Sequence, residues 1–384
     1  MYTRDLKVPR RAFFLFGPRA TGKSTWLRAA FPEGLRLDLL PPETALVYAK
    51  TPSLLRHEVL AQPRNTWIIV DEIQKVPALL DEVHFLMESH GYKRFALSGS
   101  SSRKIKRGAA NLLAGRAVMR RLHPLTTHEI GHDVSARQAM TFGMLPMSIT
   151  APDDAEREDY LKAYVDAYLR EEIKYEGLVR DVGAFGRFLD VAALMAGQRV
   201  NAAALARNAG VARDTVRGYL SIFEDTLLGC WLPAYRPRAR VKEVAAPKLY
   251  WFDSGVLHAA AGGFQQPLPS EWDDVLLEHW IHHEIRAFMD YSGVRGSLCY
   301  WRTPTGSEID FLWWFGSRAV AIEVKASTRH RAEFTKGIES FREGHRLHSS
   351  WVVYLGEKTL RVGETTVLPV MEFLRRLHEG DVIE

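Results

Sequence analysis

The sequence is poor in cysteine, in long apolar runs and in excess charge of either sign. Cys230 and Cys299 are the only cysteines among 384 residues, too few for a disulfide framework or a thiolate zinc site. A reducing cytoplasm is therefore expected. No apolar run approaches the roughly 18 residues that a membrane helix needs. The opening stretch MYTRDLKVPRRAFFLFG has basic residues but too short an apolar run for a secretory signal, so neither export nor a membrane partner is expected. The net charge of +5 is only mild support for a polyanionic partner, and its placement matters more than its total. With 46% hydrophobic and 25% charged residues, the chain has the makings of two or three globular domains.

The first strong signal is Gly17-Pro18-Arg19-Ala20-Thr21-Gly22-Lys23-Ser24, followed by Thr25. It fits G-x-x-x-x-G-K-[ST] at each fixed position, between an apolar strand over Ala12 to Phe16 and an incipient helix. Glycines let backbone N–H groups close around phosphate oxygens. Lys23 would neutralise the β and γ phosphates of ATP, and the Ser24 hydroxyl would ligate Mg²⁺. The run Trp67-Ile68-Ile69-Val70 ends in Asp71-Glu72, which reads as a buried parallel strand delivering carboxylates to its C-terminal edge. Asp71 would hold Mg²⁺ through water, and Glu72 would polarise the attacking water.

Phe95-Ala96-Leu97 leads into Ser98-Gly99-Ser100. Ser100, with Ser98 as second choice, could contact the γ-phosphate or the water; the serine-rich turn could equally be a helix cap. Arg116 follows Gly115 just before a fifth candidate strand, Ala117 to Leu122. It reads as an arginine finger reaching a neighbouring subunit's nucleotide, or as a surface arginine after a glycine cap.

The stretches GPRATGKST, IIVDEIQKVP, LSGSSS and LAGRA, in this order, resemble a prokaryotic AAA+ family. In that family the ATPase module is fused to a winged helix and a C-terminal nuclease-like domain of unknown function. The stretch Pro247-Lys248-Leu249-Tyr250-Trp251-Phe252-Asp253-Ser254-Gly255 is similar to a family signature as well. The resemblance implies an α/β chain: an AAA+ P-loop ATPase domain over 1–135, a helical and winged-helix domain over 150–265, and an α/β restriction-endonuclease-like domain over 266–384. It also implies a homo-oligomeric ring, commonly a hexamer.

After a loop-like region from Gly131 to Pro152, a connecting helix is expected over Glu156 to Glu176, with Tyr160, Leu161, Tyr164, Tyr168 and Leu169 as core. Asn201 to Asn208, a turn at Gly210, and Arg213 to Leu228 have helix-turn-helix patterning. Val216, Leu220, Phe223 and Leu227 would form the buried stripe, and Arg213 and Arg217 would face outward toward DNA. Arg236, Arg238, Arg240 and Lys242 alternate along an extended stretch, so all four would project from one side as a wing on the sugar-phosphate backbone. No base-specific readout is expected. The other reading is a winged helix used for protein contacts.

In the last third, Ser307 to Phe315 and Arg318 to Lys325 flank Gly316-Ser317, a permitted two-residue hairpin loop. That register sets Asp310 opposite Glu323, where two carboxylates repel unless a divalent cation lies between them. Lys325 falls on the same face. This Asp…Glu-x-Lys arrangement resembles the PD-(D/E)xK nuclease fold, with Ile309-Asp310 in place of Pro-Asp, and Glu278 matches the helical acid often found there. Mg²⁺ held by Asp310, Glu323 and Glu278 would permit phosphodiester cleavage; otherwise the fold serves to bind DNA or assemble the ring. The expectation is an ATPase that translocates on or remodels duplex or branched DNA. The alternatives are an ATP-regulated endonuclease and an ATP-gated switch acting on a protein.

Overall fold

A computed structural model describes residues 2–100, 113, 115–169, 179, 181–235, 246–316 and 318–383. The chain separates into two compact units, one of residues 3–124 with 225–228, the other of 125–224 with 229–384.

The first unit runs β1 (Phe13–Phe16), α1 (Lys23–Ala30), β2 (Leu35–Asp38), α2 (Pro42–Lys50), α3 (Ser53–Leu60), β3 (Ile68–Asp71), α4 (Leu79–His90), β4 (Phe95–Gly99) and β5 (Val118–Arg121). Its sheet has the order β2-β3-β4-β1-β5 with every neighbouring pair parallel. Strands β1, β3 and β4 are buried at every position, as unbroken apolar runs demand when both faces of a parallel sheet are covered. Phe14, Phe16, Ile68, Val70, Phe95 and Leu97 pack with Leu55, Val59, Val83 and Leu86 of the helices into one core. Because all strands run the same way, the loops after β1, β3 and β4 emerge at one edge. That edge is the site.

The second unit begins with α5 (Ala136–Phe142), α6 (Pro146–Thr150) and α7 (Asp154–Ala163). The region read as loop therefore holds two helices, too short to display a periodicity. Their starts carry local signals: the Ser135 side chain accepts from the Gln138 N–H, and Pro146 opens α6. The helix expected over 156–176 is regular only to Ala163 and then widens into π-type turns over Tyr164–Leu169. Next come α8 (Val182–Leu194), α9 (Ala202–Ala209) and α10 (Arg213–Asp225). Asn201 caps α9 by accepting from Ala203 and Ala204, and Gly210 turns the chain at a φ of +65°. Val216, Leu220 and Phe223 are buried as the periodicity requires. Leu227 is not part of that stripe. The helix stops at Asp225, and Leu227 takes a φ of +62° and packs on the core of the first unit.

Strands β6 (Gly229–Leu232) and β7 (Lys248–Trp251) form an antiparallel ribbon, and α11 (Ser254–Ala260) follows at once. Here the family-like stretch does structural work. Asp253 caps α11 by accepting from Val256 at 3.0 Å and also accepts from the Met144 N–H at 2.7 Å. A Cβ on Gly255 would meet the Phe142 backbone at 2.2 Å, so only glycine allows this approach. Burial pushes the Asp253 carboxyl up to about 6, against the backbone bonds that favour its ionised form.

The chain continues with α12 (Trp272–Ser292), β8 (Ser297–Arg302), β9 (Glu308–Phe315), β10 (Arg318–Lys325), α13 (Lys336–Arg342), β11 (Ser349–Tyr354), β12 (Leu360–Val362), β13 (Thr365–Pro369) and α14 (Val370–Glu379). The strands make a mixed sheet of order β12-β13-β11-β10-β9-β8, antiparallel at β8–β9–β10 and parallel at β10–β11–β13. Trp313 is fully buried, whereas Trp314 is 36% exposed because neighbours on a strand face opposite ways. Among the described residues no helix is long and apolar enough to cross a membrane.

Candidate functional site

The phosphate loop is compact and backbone-lined. Gly22 precedes α1 at a φ of +89° and Ala20 lies at +61°, turning successive N–H groups into one concavity. A Cβ on Gly17 would meet the Leu122 carbonyl oxygen at 2.3 Å. No side chain caps the start of α1, which leaves its first N–H groups to an anion. Lys23 is buried, and its Nζ donates to the carbonyls of Gly17 at 2.8 Å and Pro18 at 2.9 Å. Thr21 donates to Pro18 at 2.9 Å, and Arg4 donates to the Thr21 carbonyl at 2.8 Å and to that of His123 at 2.6 Å. Arg4 thereby ties the loop to the chain leaving β5. Arg19 and Ser24 are half-buried and Thr25 is exposed.

Strand β4 separates β1 from β3, so its end lies between the phosphate loop and the acids. Asp71 closes β3 and is buried, accepting a hydrogen bond from the Ser98 hydroxyl of β4. Glu72 follows at a φ of +59°, a conformation that non-glycine residues seldom take, and accepts from the Gln74 side-chain amide. Gln74 also donates to Ser100 Oγ at 3.2 Å, which links the glutamate to the serine-rich turn. No sequence signal pointed to Gln74, a buried amide two residues beyond the acid whose Oε1 has no partner among the described residues. The donor set fits nucleotide with a hard cation: two oxygen ligands in Ser24 and Asp71, and a loop of N–H groups for phosphate.

Arg116 is elsewhere. Strand β5 runs parallel to β1, so a residue just before β5 lies at the sheet edge opposite the phosphate loop. There its guanidinium pairs with Glu88 of α4, both side chains being largely exposed. It cannot serve the nucleotide of its own chain.

In the second unit, Phe315 stands opposite Arg318 and Phe311 opposite Ile322, the register that sets Asp310 beside Glu323. The Val324 N–H donates to Asp310 at 2.9 Å, and the Asp310 N–H lies 3.4 Å from Glu323 Oε2. Lys325 Nζ is 2.7 Å from Glu323 and 3.6 Å from Asp310. A second lysine enters from outside the hairpin: Lys248 of β7 lies 2.6 Å from Glu308, 3.3 Å from Glu278 and 4.0 Å from Asp310. Tyr250 of the same strand donates to Glu278, and Arg302 pairs with Glu308. Burial opposes both ammonium ions, but the carboxylates outweigh it and hold Lys248 and Lys325 well above the usual lysine range. Burial lifts Glu278 and Glu323 above the usual carboxylate range, and the nearby Asp310 charge adds to it against the pull of Lys248 and Lys325. Lys248 and Tyr250 were legible only as part of a family-like stretch, not as partners of these acids.

Arg213 opens α10 and is exposed, while Arg217 is exposed and pairs with Asp214 at 3.2 Å. Arg236, Arg238, Arg240 and Lys242 lie outside the described residues; the ribbon strands that flank the basic stretch are in place.

Residues 9–131 match the family described as AAA domain, residues 133–267 a domain of unknown function, DUF8612, and residues 275–373 another, DUF4143. Among curated proteins the chain is similar to the uncharacterized proteins Rv2008c of Mycobacterium tuberculosis and Mb2031c of Mycobacterium bovis. Each is 26% identical over 92% of this chain and 78% of the relative. Among solved structures it is similar to the ORC2 protein of Aeropyrum pernix, with 12% identity, 71% of this chain and 87% of that one covered, and a TM-score of 0.34. A second is protein VC1899 of Vibrio cholerae, with 13% identity, 97% of both chains covered and a TM-score of 0.22. Scores this low bear no weight. The family match and the loop, acids and strand order together identify the N-terminal segment as an AAA-type P-loop ATPase domain.

Proposed function

We propose that the chain hydrolyses ATP to translocate on, or remodel, duplex or branched DNA, and that it does so as a homo-oligomeric ring, a hexamer by its resemblance. The observation that supports turnover most is the single sheet edge at which Lys23, Asp71, Glu72, Ser98 and Ser100 meet. ATP with Mg²⁺ would supply the transferable phosphoryl group, with Gly17 to Thr25 and the Lys23 ammonium around the phosphates and Ser24 and Asp71 on the cation. Glu72 is the general base, and Gln74 holds its carboxylate in the αL bend beside Ser100. Arg116, on the far edge, would act on a neighbouring copy's site, and a ring is the assembly in which every site receives one.

DNA as the object rests on the exposed arginines of the helix-turn-helix and on the four cations at 236–242, contacts suited to phosphates and indifferent to sequence. A second reading, an ATP-regulated endonuclease, draws on Asp310, Glu323 and Lys325. Lys248 speaks against it. A divalent ion among Glu278, Asp310 and Glu323 would have to displace an ammonium already bonded there. The C-terminal domain is thus a binding and assembly element.

The test is steady-state ATPase rate for wild type, Lys23→Ala and Glu72→Gln, without nucleic acid and with single strands, duplex or a four-way junction. Stimulation of several-fold by duplex or junction, absent in both variants, is expected. A rate indifferent to every nucleic acid would remove DNA from the account and leave an ATP-driven switch on a protein.

A further inference from the structure

Within the second unit, a cleft of about 770 Å³ is lined by Arg199, Arg213 and Arg302, with Lys248 and Glu308 at its inner end. Four separate stretches of chain build it, one of them the β7 strand that carries Lys248. The segment around Arg199 joins the edge of the β6–β7 ribbon, with Arg199 bridged to Lys248 and the Val200 N–H donating to the Pro247 carbonyl at 3.0 Å. Arg213 comes from the start of α10, and Arg302 from the end of β8.

The charges are lopsided. Among the described residues Glu308 is the only acid lining the cleft, and both Lys248 and Arg302 already bind it. Arg199 and Arg213 are exposed and have no ion-pair partner among the described residues. Arg217, one turn beyond Arg213, does not line the cleft and is paired with Asp214. Guanidinium ions gathered around one opening repel each other until an anion enters, and their planar forks match the oxygens of a phosphate. Arginines spread over three elements suit an extended polyanion better than one compact anion.

We propose that this cleft seats the phosphodiester backbone of a nucleic acid strand, with Arg199, Arg213 and Arg302 as its phosphate contacts. The proposal rests on the DNA reading above and narrows it: of the two arginines read on α10, Arg213 makes the contact and Arg217 does not. The backbone lies next to the acid cluster, whose carboxylates Lys248 and Lys325 already bind, and on the reading above the strand is held there uncut.

The experiment is fluorescence anisotropy of a labelled duplex and a labelled single strand with the full chain, over a series of salt concentrations. Wild type is compared with Arg199→Glu/Arg213→Glu, with the milder Arg199→Gln/Arg213→Gln, and with Arg217→Glu. All must share the wild-type unfolding temperature. The expected result is at least a tenfold loss of affinity in the charge-reversal pair. A smaller loss is expected in the glutamine pair, with the slope of log affinity against log salt shallower by about 2. Arg217→Glu should lose much less affinity than the charge-reversal pair. Wild-type affinity and slope in both pairs would overturn the cleft while leaving DNA binding standing. A wild type that binds neither strand nor duplex would overturn the DNA reading itself. Displacement by inorganic phosphate at concentrations where chloride has no effect would make this a small-anion site and overturn its assignment to a backbone.

Discussion

Two regions of this chain bring lysines and carboxylates together at strand ends, and they dispose of the charge in opposite ways. At the phosphate loop, Lys23 donates to backbone carbonyls of its own loop, while Asp71 and Glu72 accept from the neutral side chains of Ser98 and Gln74. At the C-terminal cluster, Lys248 and Lys325 bind the carboxylates themselves. Neutral partners are exchanged at modest cost, since a hydrogen bond between uncharged groups nets about 1 kcal/mol. A buried ion pair is much harder to open, because removing one member strands the other charge. The same residue types therefore make a site that can take up phosphate and cation in one place and a closed, self-neutralised cluster in the other.

The sharpest way to break the comparison is to remove each lysine. Lys248→Met should destabilise the second unit by about 3–5 kcal/mol, read as a lowered urea midpoint, because Glu278, Glu308 and Asp310 lose their shared cation. If Lys248→Met left that midpoint where it was, the cluster would not depend on its lysine. Lys23→Ala should instead leave stability nearly unchanged and lower ATP turnover by about 10²–10³, the usual worth of one preorganised charge at a transition state. Glu72→Gln should cost about 10² in turnover with nucleotide affinity retained.

A smaller effect concerns pH. The folded-state pKa of Asp253 is raised from 3.8 to about 6, so its contribution is fully present below about 4 and is lost as pH rises through 6. Relative to Asp253→Asn, wild type should lose about 3 kcal/mol of stability between pH 4 and pH 7. A difference between the two proteins that does not vary with pH would show that Asp253 stays ionised.

How much of this was legible in the sequence follows from how local each feature is. The phosphate loop, the strand ending in Asp71 and the β9–β10 register are written in contiguous residues, and they could be read directly. Helices α5 and α6 were missed because five to seven residues cannot display a period. The end of α10 was misplaced because Leu227 is apolar and keeps the periodic pattern after the backbone has left the helix. Lys248 was missed for a different reason. Its partners lie 30, 60 and 62 residues along the chain at Glu278, Glu308 and Asp310, and no local pattern announces such a meeting.

The first region should turn over ATP, and the second should hold DNA without cutting it. The most direct measurement incubates wild type with covalently closed plasmid, ATP and Mg²⁺ or Mn²⁺, and follows released phosphate and plasmid topology in the same tube. The expected result is plasmid-stimulated phosphate release with every plasmid still covalently closed. Nicked or linear plasmid that appears with wild type and vanishes with Asp310→Asn would contradict it, and would make the C-terminal cluster a working nuclease.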